Sequence, residues 1–131
     1  MRRSLLLAFS VMIMAGCTKS GTSSIVGQWE LSESDGGLAG NIKYAPGNGN
    51  ILKFDNVGVL TQFQSGSPVL TCHYQIAPAK PLSPIFLLTV MPPGIVQVTT
   101  IDSIRIDGNR LIFLPRSYCC DEATLIYLRK Y

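Results

Sequence analysis

Turn-forming residues cut this chain so often after residue 24 that no segment keeps a 3.6-residue apolar period, which argues against a helical core. Asp55-Asn56-Val57-Gly58, the prolines Pro78, Pro81 and Pro84, Pro92-Pro93-Gly94 and Asp107-Gly108-Asn109 each place a break between short apolar stretches. The stretches read as strands over 25–31, 51–54, 59–63, 69–76, 85–90, 95–106 (one bent strand or two), 110–114 and 123–130. All connections but 32–50 are short, and short connections favour antiparallel neighbours. The expectation is an all-β fold, a small antiparallel up-and-down β-barrel of about eight strands.

Alternation gives each strand an inside and an outside. Ile25, Gly27, Trp29 and Leu31 share one face of the first strand, opposite Gln28 and Glu30. Leu70, Cys72, Tyr74 and Ile76 oppose Thr71, His73 and Gln75, and 85–90 is apolar on both faces, as in a well-covered strand. The large residues expected inside are Trp29, Leu31, Leu52, Phe54, Phe63, Leu70, Tyr74, Phe86, Leu88 and Phe113. Two interiors fit this set. Eight-stranded barrels are often just wide enough for side chains to fill. The other interior is an apolar calyx, with loop 32–50 as a lid and Tyr44, Tyr74, Leu88 and Val98 as ligand contacts.

The amino terminus has a different character. Arg2 and Arg3 precede the apolar run 4–15, too short to span a bilayer as a helix but long enough for an export signal. Met14-Ala15-Gly16-Cys17 resembles the lipobox of bacterial lipoproteins. The resemblance implies that residues 1–16 are removed, the Cys17 thiol is lipidated and the new amino terminus acylated, palmitate being the usual chain. Residues 17–24 then form a lipidated tether rich in Gly, Ser and Thr, and 25–131 the domain. Thr18 is not the aspartate associated with inner-membrane retention, so the expected address is the bacterial outer membrane. Losing Arg2 and Arg3 lowers the formal charge from +3 to +1. Lys43, Lys53, Lys80, Arg105, Arg110 and Arg116 are scattered, which speaks against nucleic acid as a partner.

Cys72, Cys119 and Cys120 remain for the domain, and a disulfide from Cys72 to Cys119 or Cys120 is expected in an oxidising compartment. Cys72 and His73 point to opposite faces and no C-x-x-C occurs, so a zinc site is not expected. His73 is the lone histidine and lies on the polar face; no serine sits in G-x-S-x-G. Glu30, Glu33, Asp35 and Asp121-Glu122 read as solvated loop acids rather than an acid–base pair. No enzyme, metal or cofactor is expected.

Gly27-Gln28-Trp29 in the opening strand, the Phe54-Asp55-Asn56-Val57-Gly58 hairpin and the late Tyr127-Leu128-Arg129 resemble lipocalin-like domains of small bacterial lipoproteins. The resemblance implies that Trp29 closes the barrel floor, that Gly27 makes room for the indole and that Arg129 packs over it as a cation–π pair. The chain is shorter than true lipocalins and lacks their Thr-Asp-Tyr loop motif and following helix, which counts against a large cavity. The expected function is capture of a small apolar or amphipathic ligand by a monomeric, lipid-anchored envelope protein. The alternative is a protein–protein interaction or inhibitor module with a packed core, contacting an envelope protein through loops 32–50 and 78–84.

Overall fold

The computed structural model describes residues 24–94, 99–116 and 122–131. Nine strands are present among them: β1 (Gly27–Asp35), β2 (Ile42–Lys43), β3 (Ile51–Phe54), β4 (Val59–Gln64), β5 (Ser67–Pro78), β6 (Ile85–Met91), β7 (Thr100–Asp107), β8 (Arg110–Leu114) and β9 (Thr124–Lys130). From β3 to β9 each strand pairs antiparallel with the next, and β1 joins β3 on one side and β9 on the other. The sheet is therefore a closed eight-stranded antiparallel barrel. The two-residue β2 is an addition: it pairs with Glu33 and Ser34 on β1, above the part of that edge that β3 occupies.

Closure and strand register explain where the sequence reading and the structure part. β1 was expected to stop at Leu31 but continues to Asp35, because Glu33, Ser34 and Asp35 pair with Ile126, Leu125 and Thr124. A bulge between Leu31 and Glu33 absorbs the extra residue. Turn-prone Ser32, Ser34 and Asp35 are held extended by the neighbouring strand. On β4, Phe63 was expected inside, yet the register sets Gln62 opposite the buried Leu52 and Phe63 opposite Ile51. Gln62 thus takes the inward place and Phe63 the outward one. β6 is also not covered on both faces: Leu88 and Val90 are buried, while Ile85 and Leu87 are half-buried on the opposite face.

One end of the barrel is closed. There lie the connections 55–58, 79–84 and 108–109, together with Ser24 and Tyr131. Trp29, Phe54, Leu88, Ile104 and Leu111 are all but fully buried and fill the interior on this side. Trp29 is 0% exposed, and its indole Nε1–H donates to the Ile25 carbonyl at 2.7 Å. The Arg129 guanidinium lies over the indole, its Cζ 4.1 Å from the ring centroid. That guanidinium also donates to the carbonyls of Val26, at 2.8 Å, and Ser24.

Gly27 makes room for this guanidinium rather than for the indole. A Cβ at position 27 would stand 2.7 Å from Arg129 Nη1, and φ there is +137°. At the other end, the connections 36–50 and 65–66, with residues 92–94, 99, 115–116 and 122–123, surround an open mouth among the described residues.

Candidate functional site

The two interiors read from the sequence coexist, one above the other. Below, the barrel is packed. Above, among the described residues, the walls enclose a cavity of about 550 Å³ open at the mouth. Its throat is apolar, built by inward side chains such as Leu52, Leu70, Leu88, Val90, Phe113 and Leu125. Its rim is polar: Gln62, Thr100, Asp102, Arg116 and Glu122.

The rim is organised around Arg116. Its Nη2 lies 2.6 Å from Asp102 Oδ1, and its Nε–H donates to the same oxygen at 3.0 Å. Its backbone N–H donates to Glu122 Oε2 at 2.8 Å. Asp102, with a side chain 22% exposed, points inward because it pairs with Leu88 across β6 and β7, and paired residues share a face. The Arg116 side chain stays 51% exposed, so one face of the guanidinium is free to meet another group. This trio was not singled out from the sequence. The signal was there: Asp102 is two residues from Ile104 and four from Ile106, on the same face of one strand.

The candidate ligand contacts fare differently. Leu88 lines the cavity. Tyr74 does not, and this corrects the expectation: its ring meets Phe54 edge-on at 5.0 Å, and its hydroxyl donates to the Asp55 carbonyl at 2.6 Å. It secures the floor-end hairpin instead. Tyr44 lines a side recess of about 270 Å³ that shares Leu52, Gln62 and Tyr127 with the main cavity. Val98 lies outside the described residues, as do residues 1–16, Cys17, Cys119 and Cys120.

The expected disulfide is not formed at Cys72, which is a free thiol, 3% exposed, with Sγ 3.8 Å from the Leu60 carbonyl. Its position between Leu70 and Tyr74 makes it a core side chain, and burial raises its pKa. His73, on the opposite face, is exposed. Tyr127 stacks at a tilt against Phe113, 5.5 Å between centroids. Burial, with Tyr44 alongside, pushes its phenol up to about 12, so it stays neutral in the cavity wall.

Loop 36–50 is strapped to the wall rather than laid across the mouth as a lid. Tyr44 N–H donates to the Ser32 carbonyl and Asn48 Nδ2 to the Leu31 carbonyl, both at 2.8 Å. Glu30 is the anchor: its carboxylate accepts the N–H groups of Gly47 at 3.1 Å and Gly49 at 3.4 Å, with Lys130 Nζ at 3.4 Å. The Gly47 bond foremost, with Gly49 and Lys130, holds this carboxyl below its usual range despite the opposing effect of burial. A carboxyl with a lowered folded value adds stability above its ordinary value of 4.5, and that stability is lost as pH falls through the folded value. Glu30→Gln is therefore expected to be less stable than the parent at neutral pH. The gap should close below about pH 4.5, read from urea midpoints across pH. A gap that stays constant with pH would show that the carboxylate charge does not hold the strap.

No family model, no curated protein and no solved structure matches this chain.

Proposed function

We propose that this chain is a lipid-anchored protein of the bacterial envelope whose lipocalin-like barrel takes up a small apolar or amphipathic molecule. The observation that carries the reading is the cavity of about 550 Å³, apolar in its throat and polar at its rim. That size lies within the roughly 300–1,000 Å³ of small-molecule sites. An apolar body is drawn in by surface burial, and a polar end meets Arg116, Asp102 and Glu122 at the mouth. The Met14-Ala15-Gly16-Cys17 sequence supports the anchor. Binding rather than catalysis is the proposed activity: Asp102 is ion-paired with Arg116 and Glu122 accepts the Arg116 backbone N–H, which leaves the exposed guanidinium to hold a polar end.

Native mass spectrometry of the protein purified from its own envelope tests this. The expected result is an extra mass that leaves on denaturation, together with the diacylglyceryl and acyl masses on Cys17. Uptake of a dansyl-labelled undecanoic acid gives a second reading. Leu70→Glu places a charge in the throat and is expected to weaken that uptake by about ten- to a hundredfold, the worth of one buried leucine contact. A bare mass, with no dansyl uptake by either protein, would overturn ligand capture and leave the loop-mediated interaction module.

A further inference from the structure

The fold gathers cations that are far apart in the sequence. Lys53, Lys80, Arg105, Arg110 and Lys130 are all exposed on the closed half of the barrel, whereas Glu33, Asp35, Asp102 and Glu122 stand toward the mouth. Among the described residues the acids at the closed end are Asp55 and Asp107. Asp55 is engaged locally, its Oδ1 accepting the N–H groups of Val57 at 2.9 Å and Val59 at 2.7 Å. Lys130 meets Glu30 at 3.4 Å but keeps 43% of its side chain exposed. Lys43 and Arg116 stand among the acids of the mouth and Asp107 pairs with Arg110 at the base, which leaves the excess of positive charge at the base.

Apolar groups project from the same end. Val57 is 75% exposed, and Leu82 and Tyr131 are fully exposed. Leu82 is the informative one. The Lys80 carbonyl accepts the Ser83 N–H at 3.1 Å, closing a turn with Pro81 second and Leu82 third, and Leu82 has φ +61°. That third position with positive φ ordinarily belongs to glycine or asparagine. Here a left-handed backbone holds a leucine side chain wholly in solvent.

The chain also enters at this end. Ser24 is tied there by Arg129. The link from Cys17 to Ser24 reaches about 25 Å at full stretch. β1, with nine residues, is itself about 30 Å long. Bringing the mouth to the bilayer would need that link drawn flat along the wall.

Building on the lipid anchor proposed above, we infer that the closed end rests on an anionic phospholipid surface. Lys80, Arg110 and Lys130 face the headgroups, Leu82 enters the headgroup–acyl boundary, and the mouth turns away from the membrane. Basic side chains gain from the negative surface potential of anionic lipids, and an apolar tip adds burial.

The test uses the full-length, lipidated protein in vesicles of equimolar phosphatidylglycerol and brominated phosphatidylcholine. Leu82→Trp reports the closed end and Leu38→Trp, 90% exposed in loop 36–50, reports the mouth. Trp29, buried at the floor, gives a background removed by comparison with the unsubstituted protein. Leu82→Trp emission is expected to shift to the blue and be quenched by the brominated chains, and Leu38→Trp to show neither effect. Adding Lys80→Glu and Arg110→Glu should abolish the quenching while flotation with the vesicles persists. Quenching of Leu38→Trp instead, or of neither tryptophan in a protein that floats, overturns the closed-end contact and leaves the anchor standing. A protein without lipid mass that does not float overturns the anchor, and the contact with it.

Discussion

Replacing Trp29 by alanine is expected to cost about 3–5 kcal/mol, the range for a large aromatic lost from a packed core. Small domains hold only about 5–15 kcal/mol in total, so the variant should be largely unfolded well below the parent's melting temperature. Three things go at once. The fully buried indole leaves a void at the floor, the Ile25 carbonyl loses its 2.7 Å donor, and Arg129 loses the ring it covers. Urea unfolding followed by far-ultraviolet circular dichroism measures the change. Combining Trp29→Phe with Arg129→Met in a double-mutant cycle should show a coupling of about 0.5–2 kcal/mol for the stacked pair. A Trp29→Ala loss below about 1.5 kcal/mol, the size of a mild core swap, would show that the floor does not depend on this side chain.

Gly49→Ala is expected to cost about 2–4 kcal/mol, adding a left-handed backbone penalty to a steric one. The new Cβ would stand 2.4 Å from the Gly66 nitrogen and 2.8 Å from the Ser65 carbonyl carbon, both backbone atoms with little room to yield. It would force apart the contact in which Gly66 N–H donates to the Gly49 carbonyl at 3.0 Å. Gly47→Ala is the matched control: φ is +82° and nothing lies within 4 Å, so only the backbone term of about 1 kcal/mol should appear. Thermal melts of the two variants compare the costs, and amide exchange at Gly66 should quicken in Gly49→Ala alone. Equal losses in both would mean that the loop yields to the Cβ and is not wedged against the β4–β5 turn.

Some of this architecture could be read from residues alone. β3 and β8 begin and end where turn chemistry and apolar runs placed them, because Asp55-Asn56-Val57-Gly58 and Asp107-Gly108-Asn109 specify their hairpins locally. β1 and β2 could not be bounded in the same way. The limit of β1 is set by β9, some hundred residues away, and β2 exists only where that extension offers Glu33 and Ser34 to pair with, neither of which marks the local sequence. Phe63 and Gln62 exchange places because pairing register, not hydrophobicity, decides which faces inward. Leu88 could be found by alternation. The Arg116–Asp102–Glu122 rim joins three separate places in the chain, brought together by the pairing of β7, β8 and β9 and by no local motif.

That closure has a consequence for how the protein comes into being. The seam joins the first strand to the last, and Arg129 reaches back to Val26 across 103 positions. Until the final strand is synthesised, β1 has no β9 to pair with and Trp29 has no guanidinium above it. Contacts of such long sequence separation slow folding, because the whole intervening loop must be ordered before they form. A barrel whose seam joins β1 to β9 stays unclosed, and able to thread a narrow pore, until β9 is at hand. For the exported chain proposed here, β1 emerging on the far side of a membrane finds its seam partner only when β9 has followed it across, so the barrel closes there and not part-way.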